Sequence, residues 1–231
     1  MAAVTECRKW KVDMRLPGDE SVILLHGLVR SNRSMKFMAR ALEAAGYRTV
    51  NVGYPSRHFP IEVLAREAVE CGLRQCQGCA EVHFVTHSLG GILVRQYLAQ
   101  NTIANLGKTV MLAPPNHGSE VVDRLSKLPG FKIANGDAGM QLGTANSSVL
   151  KQLGEVNFNL GIIAGTRTVN PILSTMLPNP DDGKVSVAST RVAGMNDHIQ
   201  LPVTHTFMMR NPKVIRQVIH YLNCGSFLRP R

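Results

Sequence analysis

One serine stands where the chain pattern favours a nucleophile. The apolar run Glu81–His87 predicts a β-strand, Ser88 follows it, and a helical pattern begins at once at Leu89. A strand–turn–helix of this kind holds a serine hydroxyl above the sheet, and the helix N-terminus lends it positive potential. The sharp turn needs a small residue two positions later, which is Gly90, and Thr86 occupies the other small position. We therefore predict Ser88 as a nucleophile, with a helix-capping serine in a glycine packing contact as the alternative.

Two further segments support this interpretation. Val22–Leu25 has the pattern of a buried strand and leads into the turn His26–Leu28, while Pro114–Ser119 follows a later strand. With the pentapeptide Thr-His-Ser-Leu-Gly, these segments resemble the lipase and esterase branch of the α/β-hydrolase superfamily. The resemblance is to small, capless bacterial serine hydrolases and extends over about residues 22–222.

The resemblance implies roles around the serine. In this superfamily the turn after the third strand supplies half of an oxyanion hole, so the backbone N–H groups of Leu28 and Leu89 are the implied donors. Two donors stabilise the negative charge that a tetrahedral intermediate places on the former carbonyl oxygen. We interpret His26 as a structural residue and His117 as a residue of the pocket rather than a base. Ser119 is expected to cap the helix that follows it.

The resemblance also implies the remainder of a triad, in the chain order serine, acid, histidine. Asp182 precedes a glycine at the end of a proline-rich loop and is the favoured acid, with Asp181 as the alternative. His205 lies between the last predicted strand and the last predicted helix and is the favoured base. His198 is the alternative, but it would begin that strand and so lie at the wrong end of the sheet.

Strand-like and helix-like segments alternate along the chain. This rhythm predicts an α/β protein with a mainly parallel sheet of about six strands and helices on both faces, and the resemblance implies the α/β-hydrolase fold. Binding sites in such sheets form at the carboxyl ends of the strands. Strands are predicted over 21–26, 48–52, 81–87, 108–113, 158–165 and 199–203, and helices over 35–45, 61–73, 89–99, 119–128 and 212–222.

The remaining segments fit one domain over residues 1–231 with a minimal cap or none. Residues 1–20 are expected to form an N-terminal extension, and the irregular segments 129–155 and 166–181 are expected near the pocket. Weak apolar cover of the pocket is predicted from Leu28, Met140, Leu142, Leu173, Met176 and Leu177.

Composition excludes several classes of protein. With 44% apolar and 18% charged residues, the 231-residue chain is neither disordered nor fibrous. No apolar run approaches the roughly 18 residues of a membrane span, and residues 1–20 contain no apolar core of a signal peptide, so we expect a cytoplasmic protein. The net charge of +10 is scattered, and aromatic residues are only 5%, which disfavours nucleic acid as a partner. Transient contact with an anionic lipid surface is compatible with this charge.

The cysteines leave three interpretations open. Cys71, Cys76 and Cys79 have a spacing that also occurs in iron–sulfur ligand sets, with Cys224 as a fourth candidate. A redox role for Cys76 and Cys79 is the second interpretation, and buried or free thiols the third. We favour the third, because Cys71 falls on a helical pattern and the five cysteines are an odd number. No metal and no cofactor are predicted.

Taken together, the residues and the resemblance that they carry imply a carboxylic-ester hydrolase, either an esterase or a lipase, that works through an acyl-enzyme. The substrate would be a small-molecule ester or a lipid. Two alternatives remain open. The same triad would serve an amidase, a thioesterase or an acyltransferase, and a non-catalytic member of the fold would bind a lipid or a partner instead.

Overall fold

The described part of the chain is organised around a seven-stranded β-sheet. The structure is a computed structural model that describes residues 12–15, 19–144, 149–169 and 174–229, with the backbone alone for 12–15 and for Lys151. In chain order the strands are β1 (Val12–Arg15), β2 (Glu20–Leu25), β3 (Arg48–Val52), β4 (Glu81–His87), β5 (Leu106–Leu112), β6 (Leu160–Gly165) and β7 (Asp197–Leu201).

The spatial order of the strands is β1-β3-β2-β4-β5-β6-β7. Strands β2 to β7 are parallel, and β1 is antiparallel to β3 at the edge. The prediction of a mainly parallel sheet of about six strands is thus confirmed. The four-residue β1 lies inside the segment that was expected to be an extension, and it is too short for a recognisable alternation of apolar residues.

Helices pack on both faces of the sheet. In chain order they are α1 (Lys36–Ala44), α2 (Ile61–Gln75), α3 (Leu89–Leu98), α4 (Glu120–Leu125), α5 (Phe131–Met140), α6 (Val149–Gln152), α7 (Val187–Thr190) and α8 (Pro212–Cys224). Helices α2 and α3 share one core with alternate residues of β2, such as Ile23 and Leu25. Helices α1 and α8 share the other core with Val22 and Leu24. Both sets of strand residues are therefore buried, which explains why β2 is a continuous apolar run.

The structure corrects some of the predicted boundaries. The segment 129–155, expected to be irregular, contains α5 and α6. Helix α5 is interrupted at Gly136, where φ is +68°, so it never develops the continuous apolar spacing of a regular helix. Strand β7 begins at Asp197 rather than Ile199. Its first residues are polar and only partly buried at the edge of the sheet, so they do not extend the apolar run from which the strand was predicted. Among the described residues, no helix is long and apolar enough to cross a membrane.

Candidate active site

Ser88 lies at the apex of a strained turn between β4 and α3. Its backbone has φ +53° and ψ −120°, a conformation that residues other than glycine rarely adopt. The Ser88 N–H donates to the Leu112 carbonyl at 2.8 Å, which holds the turn against β5. A Cβ atom at Gly90 would lie only 2.5 Å from the backbone oxygen of Leu25, so the helix starts closer to β2 than any larger residue would allow.

The two favoured partners, Asp182 and His205, are joined by a buried hydrogen bond. His205 Nδ1 lies 2.8 Å from Asp182 Oδ2, and the His205 backbone N–H donates to the Asp182 carbonyl at 3.1 Å. Asp182 Oδ1 accepts from the backbone N–H groups of Lys184 at 3.0 Å and Val185 at 2.9 Å. The carboxylate is thus fully oriented, and a proton on Nδ1 leaves Nε2 of His205 as the basic nitrogen.

Ser88 and His205 line the same cavity, whose volume is about 290 Å³. Within the described residues, no hydrogen bond joins the Ser88 hydroxyl to His205. Such bonds are often long in an empty site and shorten when substrate binds. The structure therefore brings together the three residues that were predicted as a triad, and their catalytic roles remain a prediction.

The alternative acid and base are occupied elsewhere. Asp181 accepts from the Gly183 N–H at 2.7 Å and from Ser174 Oγ at 2.6 Å, so both of its oxygens hold the loop together. His198 Nε2 lies 2.9 Å from Thr190 Oγ1, and burial lowers its pKa to about 4. His198 is in the first half of β7, as predicted. Neither Asp181 nor His198 lines the cavity.

The two backbone N–H groups that the resemblance implied as oxyanion donors belong to Leu28 and Leu89. In the described part of the chain, the amides of Leu28 and Leu89 have no hydrogen-bond acceptor. The loop that carries Leu28 is fixed at its next residue, because Val29 has φ +56° and its N–H donates to Ser56 Oγ at 3.1 Å. A Cβ at Gly27 would lie 3.1 Å from the Ser88 Cβ, so glycine lets this loop approach the serine.

His26 supports the same loop from below. Its Nδ1 donates to the Gly27 carbonyl at 2.8 Å, and its Nε2 accepts from the Tyr54 backbone N–H at 3.3 Å. The Tyr54 ring stacks on the imidazole at 4.1 Å between centroids, and the Tyr54 hydroxyl donates to the His26 carbonyl. Burial lowers the pKa of His26 to about 4, so the ring is neutral at pH 7. These contacts agree with the structural role predicted for His26.

His87 is a residue of the site that sequence reasoning missed. Its Nε2 donates to the backbone carbonyl of His205 at 3.0 Å, and the two rings lie 4.8 Å apart. Burial, followed by the charge of His205, lowers the pKa of His87 well below its usual value. Its Nδ1 is buried without a hydrogen-bond partner among the described residues. The available signal was its place beside Ser88, since a polar residue at the end of a buried strand needs a partner.

The segment after β5 forms part of the pocket wall, as the resemblance implied. Asn116 Oδ1 accepts from Arg95 at 3.0 Å, and Asn116 Nδ2 donates to the Thr190 carbonyl at 2.7 Å. Ser119 precedes α4 but was wrongly predicted as its side-chain cap, because its hydroxyl donates to the Lys184 carbonyl at 2.8 Å instead. His117 is exposed and does not line the cavity.

The apolar cover of the cavity differs from the predicted set. Leu28 and Leu142 line it as expected, but Met140 and Leu177 do not, and Leu173 lies outside the described residues. Met176 is also absent from the lining. The apolar wall comes instead from helix α4, the start of α5 and the loop after Asp182, through Val121, Val122, Leu125, Phe131 and Val185.

The described cysteines, which leave out Cys7, do not form a ligand set. Cys71 is bonded in a disulfide, which corrects the expectation of a free thiol, whereas Cys76, Cys79 and Cys224 are free. Burial raises the pKa of Cys76 to about 11, which disfavours the thiolate that metal binding and redox chemistry need. The Cys79 sulfur lies 2.8 Å from Ser21 Oγ. These contacts favour structural cysteines.

Three other potential metal ligands lie together at the amino ends of β2 and β4, namely Glu20, Glu81 and His83. His83 Nδ1 accepts from the Lys108 backbone N–H at 2.8 Å, so the ring proton is on Nε2. That nitrogen donates to Glu20 Oε2 at 3.1 Å. Hydrogen bonds within the protein therefore account for this group, which is at the opposite end of the strands from Ser88.

The chain is similar to known proteins in its structure. No model of a known protein family matches the sequence, and a search of curated proteins finds no match. The chain is similar to a lipase from Bacillus licheniformis, BlEst2 in its mature form, with a TM-score of 0.67 and 18% identity over 87% of this chain and 92% of that one. It is similar to phospholipase PlaB from Legionella pneumophila, with a TM-score of 0.68 and 19% identity over 90% of this chain and 60% of that longer one.

A third similar structure is an esterase from Exiguobacterium antarcticum, with a TM-score of 0.62 and 16% identity over 93% of this chain and 95% of that one. At these identities the likeness concerns the fold. Three observations indicate the same fold: the order of the parallel strands, the strained Ser88 between β4 and α3, and the folds of these structural neighbours. The chain therefore has the α/β-hydrolase fold, as its resemblance to that superfamily predicted.

Proposed function

We propose that the protein is a serine hydrolase that cleaves carboxylic esters through an acyl-enzyme. The observation that carries the proposal is the buried hydrogen bond of 2.8 Å between His205 and Asp182, next to a cavity that His205 and Ser88 both line. A serine hydroxyl is a weak nucleophile unless an oriented base removes its proton. The names of the structural neighbours, a lipase, a phospholipase and an esterase, add support for ester substrates.

The first half of the reaction forms the acyl-enzyme. Ser88 Oγ attacks the ester carbonyl carbon while its proton moves to Nε2 of His205. The carbonyl oxygen becomes negative and accepts hydrogen bonds from the N–H groups of Leu28 and Leu89. Asp182 stabilises the charged imidazole. The carbon–oxygen bond to the alcohol then breaks, and the proton on His205 passes to the departing alkoxide.

The second half returns the enzyme to its starting state. Water gives a proton to His205 and attacks the acyl carbon, and the same two N–H groups hold the oxyanion. The bond to Ser88 Oγ then breaks, Oγ recovers a proton from His205, and the carboxylic acid leaves. The balance is one ester and one water giving one acid and one alcohol, with no other reactant.

The size of the cavity favours small substrates. At about 290 Å³ it lies at the low end of the range for ligand pockets, about 300–1,000 Å³. We therefore expect short acyl chains, as in an esterase, to be better substrates than long ones. Two exposed apolar side chains, Leu128 and Ile133, lie within three residues in sequence of the lining residues Leu125 and Phe131, and they support transient contact with a lipid surface as a further part of the proposal. Binding to vesicles that depends on neither anionic lipid nor salt would argue against that contact.

The experiment measures hydrolysis of p-nitrophenyl esters from acetate to palmitate by the wild type and by Ser88→Ala. Turnover that is lost in Ser88→Ala, while circular dichroism and thermal unfolding are unchanged, supports the proposal. Turnover that survives in the variant contradicts the assignment of the nucleophile. Absence of turnover in the wild type on esters, but activity on p-nitroanilides or thioesters, would favour the amidase or thioesterase alternative.

A further inference from the structure

Two basic side chains stand at the cavity beside the triad. Arg30 and Lys184 both line it together with Ser88 and His205. Neither basic side chain forms an ion pair or a hydrogen bond within the described part of the chain. The described residues that line the cavity include no carboxylate. The cavity is thus lined by two positive charges that form no ion pair among the described residues.

The backbone holds both residues in place. Arg30 follows Val29, whose strained backbone is fixed by the hydrogen bond to Ser56. The Lys184 N–H donates to Asp182 Oδ1 at 3.0 Å, and the Lys184 carbonyl accepts from Ser119 at 2.8 Å. Arg30 is therefore two residues after Leu28, and Lys184 is two residues after Asp182. The position of each basic residue is thus tied to a residue of the proposed reaction.

The two charges act on each other and on the site. Burial and then the charge of Arg30 lower the pKa of Lys184, while Asp182 opposes this effect. Arg30 and Lys184 also contribute to the low pKa of His87, which contacts His205. Like charges held close together are unfavourable, and an anion bound beside both would relieve the repulsion.

We propose that the preferred ester carries an anionic group, a carboxylate or a phosphate, that binds Arg30 and Lys184 in the Ser88 cavity. This inference rests on the proposed ester hydrolysis and narrows its substrate class. The planar guanidinium of an arginine can donate two parallel hydrogen bonds to a pair of carboxylate or phosphate oxygens, and a lysine adds a compact point charge. The substrate is then a small, water-soluble anionic ester, since the cavity is small.

The test compares matched esters with and without the charge. Mono-p-nitrophenyl adipate and p-nitrophenyl hexanoate share a six-carbon acyl chain and a leaving group, and differ in the terminal carboxylate. In the second pair, 3-butyryloxybenzoate carries the carboxylate on its leaving group, and phenyl butyrate is the neutral counterpart. For each pair the measured quantity is the ratio of kcat/KM for the anionic ester to that for the neutral one, in dilute solution without micelles or vesicles.

In at least one pair we expect this ratio to fall about tenfold from the wild type to the double variant Arg30→Gln, Lys184→Gln. That change corresponds to about 1.4 kcal/mol. We also expect the wild-type ratio to fall as salt is raised towards 1 M, where charges are screened beyond about 3 Å. Differences in intrinsic reactivity between the two esters cancel, because each variant is measured on both.

The control is the double variant Lys213→Gln, Arg216→Gln, which removes the same charge from exposed positions on helix α8. An equal fall in this control would assign the effect to the overall charge of +10 and overturn the inference. A ratio that the Arg30 and Lys184 changes leave unaltered in both pairs would overturn it as well. Either result leaves ester hydrolysis itself intact, whereas loss of the proposed function would appear as no Ser88-dependent turnover of any ester.

Discussion

His87 donates a hydrogen bond from Nε2 to the backbone carbonyl of His205 at 3.0 Å. The residue just before Ser88 thus holds the loop that carries His205, across 118 positions of sequence. His87 is 2% exposed, so solvent cannot replace this bond without a change in packing. We interpret His87 as a positioning residue, because its hydrogen bond goes to the backbone of His205 and its ring lies 4.8 Å from the His205 ring between centroids.

We expect His87→Phe to lower kcat about 10- to 100-fold with little change in KM. Small displacements of a catalytic group have effects of this size, and the ring of phenylalanine fills the space but cannot donate. His87→Gln retains an amide N–H that can reach the His205 carbonyl and should recover much of kcat. Equal losses in both variants, or a loss that follows reduced thermal stability, would contradict the positioning role. Steady-state kinetics of the two variants give kcat and KM, and thermal unfolding gives their stability.

The neighbouring aspartates offer a matched pair for the acid. Asp182→Asn removes the charge that fixes the Nδ1 tautomer of His205, and we expect kcat to fall about 10³- to 10⁴-fold. Asp181→Asn weakens the bonds to Gly183 and Ser174, so its main effect should be a loss of folding stability of about 1–2 kcal/mol. A larger kcat loss in Asp181→Asn than in Asp182→Asn would reverse the assignment. Urea unfolding and kinetics of both variants test it.

The sheet was predictable because its strands leave a local pattern, whereas Asp182 and His205 were named through the resemblance to a superfamily and their roles stay a prediction. Strands β2, β4 and β6 are buried on both faces, so they appear as apolar runs, and Ser88 and His205 follow strand ends. The pocket wall was not predictable. Helix α5 breaks at Gly136, and the role of His87 comes from a contact between segments far apart in sequence. Neither leaves a repeating pattern in the sequence.

Gly90 should tolerate no side chain without loss of activity. In Gly90→Ala, the new Cβ would lie 2.5 Å from the Leu25 oxygen, and we expect α3 and Ser88 to shift away from β2. Overpacking of this kind costs about 1–3 kcal/mol, and kcat should fall at least tenfold in the molecules that remain folded. Active-site titration with a fluorophosphonate, followed by kinetics, separates the two effects.

The control for Gly90 is Gly46→Ala. Gly46 has φ +97°, and a Cβ there would meet nothing within 4 Å, so alanine suffers backbone strain alone. We expect a loss of about 1–2 kcal/mol of stability and an unchanged kcat. If Gly90→Ala behaved in the same way, close approach of α3 to β2 would not matter for the position of Ser88.

Folding stability should rise with pH between about pH 4 and 6.5, in part through His26. Its pKa falls from 6.5 to about 4 in the folded protein, because burial disfavours the charged ring. Between these values the unfolded chain binds a proton that the folded protein does not, so the contribution is present above pH 6.5 and is lost as pH falls. The shift corresponds to a contribution on the order of 3 kcal/mol.

His26→Gln removes the titrating group but leaves the rest of the loop. We expect this variant to be less stable than the wild type at pH 7.5, with a difference that narrows towards pH 4.5, since only the wild type loses the His26 contribution. His58→Gln changes an exposed histidine and should keep the wild-type slope. Urea unfolding at several pH values gives the slopes. A slope in His26→Gln equal to that of the wild type would mean that His26 is not the group that resists protonation. The dependence would then come from the other histidines whose pKa values are lowered, His83, His87 and His198.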